Sequence, residues 1–124
     1  MNVLLRKDGS AIVIDWPGLQ VSDPRFDVAW ALIVMTAIWG GEWRDRILRE
    51  YEHRAGAKME QIEFFEVGAC MRFLFILIVS TIRGMHPNAE YMLQVGAFKR
   101  AYDLLQESTG IRWVEVERLL ASRS

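Results

Sequence analysis

The chain has 124 residues, enough for one domain with a buried core, and 52% of them are hydrophobic. Its net charge of −1 and pI of about 6.1 exclude the basic surface that nucleic acids and anionic membranes bind, so we expect neither as a partner. The single cysteine, Cys70, excludes an internal disulfide, and because no secretory signal follows Met1 we expect a reducing, cytoplasmic setting.

A β-hairpin is predicted at the start of the chain. Asp8-Gly9 lies between two short runs rich in Val, Ile and Leu, which is a strong signal for two strands joined by a two-residue turn. Antiparallel pairing around that turn would set Lys7 opposite Ser10, Leu5 opposite Ile12, Val3 opposite Ile14 and Asn2 opposite Asp15. Leu4 and Val13 would lie on one face and the other apolar residues on the second, so we expect both faces to be covered.

The open end of this hairpin is a candidate metal site. The expected pairing puts the Cβ atoms of Asn2 and Asp15 about 5 Å apart. An amide oxygen and a carboxylate at that distance are donors that Mg²⁺ accepts from proteins. The alternative on spacing alone is that Asn2 is a frayed terminal residue and Asp15 a solvated strand end.

A helix is predicted over residues 24–39. Asp23 is a good N-cap and Pro24 a good first helical residue, after a turn at Pro17-Gly18. Beyond Arg25 nearly every position is apolar, so we expect a helix buried on all sides. Asp27 is the exception, and in the first turn its charge complements the helix dipole.

The remaining helices are predicted from apolar periodicity and from glycine and proline breaks. They cover residues 42–55, 59–83 and 89–107, followed by a short amphipathic segment around residues 113–120. The helix over 42–55 carries charges at i,i+4 spacing, as on a solvated face: Glu42/Arg46, Asp45/Arg49, Arg46/Glu50 and Glu50/Arg54. The fold class is therefore mainly α, with an N-terminal β-hairpin and about five helices.

The most apolar stretch, residues 64–82, contains Glu66, Gly68 and Arg72 and is too interrupted to span a membrane, which needs about 20 apolar residues. We predict a core helix with Cys70 and Met71 among the core candidates. Nothing near Cys70 would stabilise a thiolate, so we expect no redox or nucleophilic role for it. The apolar excess of the chain predicts self-association or a partner that covers apolar surface.

The sequence lacks the residue patterns of zinc sites, serine nucleophiles and phosphate-binding loops. His53, His86 and Cys70 are far apart and have no paired spacing of the zinc type. No serine lies in a nucleophile-elbow motif, and Gly40-Gly41 is not followed by the lysine of a phosphate-binding loop.

The stretch up to Trp30 resembles the catalytic half of the aminoglycoside phosphotransferase and related small-molecule kinase family. The matching segments are Asn2-Val3-Leu4, the hairpin, Ile14-Asp15-Trp16, Ser22-Asp23-Pro24 and Asp27-Val28-Ala29-Trp30. The resemblance implies that Asn2 and Asp15 bind Mg²⁺ and that Asp27 anchors the backbone of the catalytic loop. It also implies a single domain over residues 1–124, a partial C-terminal lobe of a protein-kinase-like phosphotransferase, with the hairpin and metal-site remnant in 1–16 and a helical subdomain in 24–124.

A full-length relative would use ATP or GTP to phosphorylate a small-molecule hydroxyl, and it would need more than these residues. In the family the catalytic base is an Asp in a His-Gly-Asp segment a few residues before the Asn, and the nucleotide lobe lies further upstream. Neither occurs in this sequence, while Pro17 and Ser22 depart from the family's usual loop. We therefore assign no catalytic residue and expect the isolated chain to be inactive. The alternative is a non-catalytic helical interaction or assembly module derived from the same fold.

Overall fold

The computed structural model describes residues 3–14, 22–84 and 89–122. A two-stranded antiparallel hairpin precedes the helices, as the mainly α prediction required. The strands are β1 (Val3–Leu5) and β2 (Ala11–Val13), and the helices are α1 (Pro24–Trp39), α2 (Glu42–Ala55), α3 (Ile62–Arg83), α4 (Ala89–Gln94), α5 (Ala97–Thr109) and α6 (Val114–Ala121).

The hairpin turn contains one more residue than predicted. The amide of Gly9 donates to the carbonyl of Arg6 (3.0 Å), and the amide of Arg6 donates to the carbonyl of Ser10 (2.8 Å). Gly9 has a φ of 82°, a left-handed conformation that glycine adopts without strain. The Asp8 carboxylate accepts hydrogen bonds from the backbone amide and the hydroxyl of Ser10, which lower the pKa of Asp8.

The strand register is therefore shifted by one residue from the predicted register. The observed partners are Val3 with Val13, Leu4 with Ile12, and Leu5 with Ala11. Because paired residues share a face, Leu4 lies with Ile12 and not with Val13, so the predicted distribution between faces was wrong. We also expected other parts of the protein to cover both faces of the hairpin, and the described residues do not do so. The exposed side chains on the two faces are Val3, Leu4, Leu5 and Val13.

Helix α1 has the predicted bounds because its ends are marked by strong capping residues. The Asp23 carboxylate accepts from the amide of Arg25 (3.0 Å) and pairs with its guanidinium. The hydrogen bonds from Arg25 hold the pKa of Asp23 at about 2. The predicted burial on all sides was wrong, because Phe26 and Trp39 are exposed.

The hydrophobic core lies between α1, α3 and α5, with one residue from α6. Its largest fully buried side chains are Phe98, Leu32, Leu74, Leu105 and Val116. Cys70 is buried as predicted, whereas Met71 is exposed and was wrongly placed in the core. α3 is thus not a fully buried helix: one face packs on α1 and α5, and another meets solvent.

Helix α2 also has the predicted bounds, and none of its residues is fully buried. Of the four predicted i,i+4 ion pairs, only Glu50 with Arg54 occurs in the part of the chain that the structure describes. After Gly56 the carboxylate of Glu52 accepts from the amide of Met59 (2.9 Å) and pairs with Lys58, which orders the connection to α3. α3 consequently begins at Ile62, later than predicted.

The predicted helix over 89–107 is two helices. Val95 and Gly96 separate α4 from α5, and Gly96 has a φ of 72° that breaks the α-helical hydrogen-bond series. A Cβ atom at Gly96 would lie 3.2 Å from the Arg100 guanidinium, so the missing side chain also leaves room for that arginine. With this break the described part of the chain contains six helices, where about five were expected.

Thr36 contains a buried hydroxyl that has no hydrogen-bond partner among the residues that the structure describes. Desolvating a hydroxyl without a partner is unfavourable, so Thr36→Val should raise the free energy of unfolding by about 1 kcal/mol. Thermal and urea unfolding of the two proteins would measure this. Thr81→Val is the matched control, because the Thr81 hydroxyl donates to the Leu77 carbonyl, and this variant should not be stabilised. A loss of stability in Thr36→Val would contradict the prediction.

None of the helices among the described residues is long and apolar enough to cross a lipid bilayer.

Candidate functional site

The two predicted metal ligands, Asn2 and Asp15, lie outside the residues that the structure describes. Their expected direct pairing assumed the two-residue turn, and the observed register removes that assumption. The chemistry of the donor set is unchanged, because an amide oxygen and a carboxylate oxygen suit Mg²⁺. The metal site therefore stays a prediction, and it now depends on the family resemblance rather than on strand pairing.

Asp27 lies in the first turn of α1, where its carboxylate is exposed. Within the described ranges it makes no hydrogen bond or ion pair, because the nearby Arg25 is already bound to Asp23 and to the carbonyl of Glu60. The guanidinium of Arg25 also lies over the ring of Phe65, 4.4 Å from its centroid. Asp27 thus has a fixed backbone position at a helix N-terminus and free carboxylate oxygens.

The described residues offer no second metal site and no reactive nucleophile. They contain no cluster of three or more His, Cys, Asp or Glu side chains that could hold a metal ion. Burial raises the pKa of the Cys70 thiol to about 12, so this cysteine is protonated at neutral pH and is a poor nucleophile. His53 is exposed on α2, and His86 lies outside the described residues.

A cavity of about 220 Å³ with both polar and apolar walls lies where α1, α2, α3 and α5 meet. Arg44 and Glu66 form a two-pronged ion pair at its wall, with both Nε and Nη2 of the arginine 2.7 Å from the carboxylate oxygens. The carboxylate raises the pKa of Arg44 and keeps the guanidinium charged. The rest of the wall is largely apolar and includes Ile33, Cys70 and Leu105.

The ion pair between Arg44 and Glu66 was not predicted from the sequence. The i,i+4 pattern of α2 drew attention to contacts within that helix, whereas Arg44 bonds both to Asp45 in α2 and across to Glu66 in α3. The available signal was Glu66 itself, a carboxylate in a predicted core helix that requires a cationic partner if buried. The pair orders α2 against α3 and lies far in sequence from the predicted metal ligands.

A second cavity, of about 270 Å³, lies between α1, α3 and α4 and is nearly all apolar. Its walls include Trp30, Phe73 and Met92, and its one polar side chain is Ser80. A third, of about 320 Å³, lies beside α6. No acidic, basic or histidine side chain of the described residues lines the second cavity.

Comparison with known proteins identifies one family. The family model described as the phosphotransferase enzyme family matches residues 1–65, which is more than half of the chain. The match continues beyond Trp30, where the resemblance drawn from the sequence stops, and covers the hairpin, α1, α2 and the start of α3. No curated protein and no solved structure gives a significant match to the chain.

Proposed function

Because the chain belongs to the phosphotransferase enzyme family, we propose that it is the C-terminal part of the catalytic lobe of a small-molecule kinase. The whole protein would transfer the γ-phosphate of ATP or GTP to a hydroxyl group of a small acceptor. The family match over residues 1–65 is the observation that carries this proposal. Fold likeness alone would not be sufficient, because related folds support different chemistry.

Asn2 and Asp15 are the residues that we propose for Mg²⁺. Their side chains supply one amide oxygen and one carboxylate, and water or nucleotide phosphate would complete the shell that Mg²⁺ needs. When bound, the ion neutralises charge on the nucleotide phosphates. Asp27 is proposed as the anchor of the catalytic loop, and this role is supported by its exposed carboxylate, which has no partner among the described residues, and by its position in the first turn of α1.

Calorimetric titration of Mg²⁺ or Mn²⁺ into the 124-residue chain tests the metal proposal. We expect weak binding, because two protein ligands form only part of a site, and Asp15→Ala should abolish the heat. Asp8→Asn is the matched control, since it removes the charge of an exposed acid in the hairpin turn, keeps an oxygen that can accept from Ser10, and should not affect the titration. An absence of heat with the unmodified chain, or equal heat with Asp15→Ala, would refute the assignment.

The 124 residues are expected to have no kinase turnover by themselves. They contain no His-Gly-Asp segment to supply the base for the acceptor hydroxyl. They also contain no glycine-rich or lysine-bearing segment for the nucleotide, and phosphoryl transfer depends on such positioning groups almost entirely.

We propose a cytoplasmic location, which the single buried cysteine supports.

The second candidate function is a non-catalytic interaction or assembly module. The observation that favours it is the hairpin, whose apolar side chains are exposed on both faces. A partner or a second copy would cover this surface. The coding DNA upstream of Met1 distinguishes the two candidates: an in-frame His-Gly-Asp segment and nucleotide lobe would support the kinase, and an in-frame stop codon would support the module.

A further inference from the structure

The solvent side of α3 carries a row of exposed apolar side chains. It consists of four large side chains, Phe64, Met71, Phe75 and Ile82, whose exposed fractions are 76%, 47%, 58% and 75%. We refer to these four as the α3 ridge. Water-exposed apolar side chains are ordinary when isolated, but an aligned set of this size marks an interaction surface.

The four residues lie on one straight line along the helix. At about 100° per residue, steps of 7, 11 and 18 residues from Phe64 return to within about 20° of its direction. At about 1.5 Å per residue the ridge is about 27 Å long. No charged residue of α3 lies on this line, although Glu115 and Arg118 of α6 lie beside Ile82. The position between Phe64 and Met71 is Gly68, where a Cβ would have open space around it.

The spacing of the ridge is the same in both directions. From Phe64 to Ile82 the steps are 7, 4 and 7 residues, so the ridge has its midpoint at Phe73. If a second, antiparallel copy of α3 lies on the first, Phe64 faces Ile82 of the second copy, and Met71 faces Phe75. A two-fold dimer needs such reciprocal pairing, in which residue i contacts j and j contacts i.

We infer that the α3 ridge is the interface of a two-fold dimer in which α3 packs antiparallel on α3 of a second copy. Complete cover of the four side chains would bury an area at the lower limit for a specific interface. Taking about 200 Å² for each whole side chain, the exposed parts of the four residues amount to about 500 Å² per chain, or about 1,000 Å² in the pair. Specific interfaces begin near this total, and flanking residues would add to it.

Sedimentation equilibrium of the 124-residue chain tests the dimer. We expect a concentration-dependent dimer. Met71→Glu and Phe75→Lys should each be monomeric, with the dissociation constant raised by about 100-fold or more, because each places an unpaired charge against an apolar side chain. Both positions are exposed in the single chain, so the fold should persist, and far-UV circular dichroism would verify this.

Mixing the two variants tests the antiparallel register. In an equimolar mixture the introduced glutamate of one chain faces the introduced lysine of the other, while the second contact remains Met71 against Phe75. We therefore expect the mixture to form a heterodimer although each variant alone does not. Leu5→Glu, on the exposed hairpin, is the matched control and should leave the dimer intact.

Three results would overturn the inference. The first is a wild-type chain that stays monomeric at all concentrations, which would show that the α3 ridge does not bind a second copy. The second is a dimer lost in Leu5→Glu but kept in Met71→Glu, which would place the interface on the hairpin. The third is a mixture that stays monomeric, which would exclude the antiparallel register.

Discussion

Arg100→Met should lower the free energy of unfolding by about 3 kcal/mol. The guanidinium donates to the carbonyls of Ala37 (2.8 Å) and Ile38 (3.0 Å) at the end of α1, and to the carbonyl of Val95 (2.7 Å) at the end of α4. The last carbonyls of a helix lack partners within it, and the last turn of α1 has no basic residue of its own. Without Arg100, half-buried and buried carbonyls lose their donors at a cost of about 1–3 kcal/mol each.

Urea unfolding of Arg100→Met would measure this loss, and Arg49→Met is the matched control. Arg49 is exposed on α2 and forms no ion pair among the described residues, so its replacement should leave the unfolding midpoint unchanged. Arg100→Lys should be intermediate, because a single ammonium cannot reach three carbonyls in the fixed geometry of the guanidinium. Equal stability of Arg100→Met and the unmodified chain would show that water replaces the arginine.

Helix ends were predictable from sequence where a residue has a local structural reason. Asp23 caps α1 and Pro24 is its first residue, while Gly40 ends α1 and Gly56 ends α2. The bounds of both helices therefore agree with the prediction. The break at Gly96 was missed because the apolar periodicity continues through it. Periodicity records which face is apolar and contains no information about one residue with positive φ.

The hairpin shows a different limit. Asp8-Gly9 fits both a two-residue turn and a three-residue turn that ends in a left-handed glycine, and these alternatives differ by one residue in register. A side-chain pattern with polar residues on one face would have discriminated between them. Both faces here are apolar, so the sequence contained no preference, and the observed hydrogen bonds of Arg6 decide the register.

The candidate site was predictable only in part. Asp27 occupies the predicted first turn of α1, because capping residues next to it determine where that helix begins. Asn2 and Asp15 remain predictions that the titration must test. The Arg44–Glu66 pair and the exposed faces of α1 and α3 are tertiary features, and composition alone does not tell which apolar faces of a helix meet another helix.

Glu66→Leu should destabilise the chain by about 2 kcal/mol, because the largely covered Arg44 loses its two-pronged partner and keeps only the well-exposed carboxylates of Asp45 and Glu63. The side chain of Glu66 is 12% exposed and that of Arg44 is 27% exposed, so water compensates the loss only partly. The double variant Arg44→Met/Glu66→Leu removes both charges and should recover most of the lost stability, since an apolar pair can replace a buried ion pair at little cost.

Urea unfolding of the four proteins in this cycle gives the coupling free energy between the two positions. Glu50→Gln is the control for an exposed ion pair, and because Glu50 and Arg54 are both well solvated it should not move the unfolding midpoint. The outcome that contradicts the argument is additivity, in which the double variant is destabilised by the sum of the single losses. Additivity would mean that the carboxylate stabilises the junction of α2 and α3 through solvent rather than through Arg44.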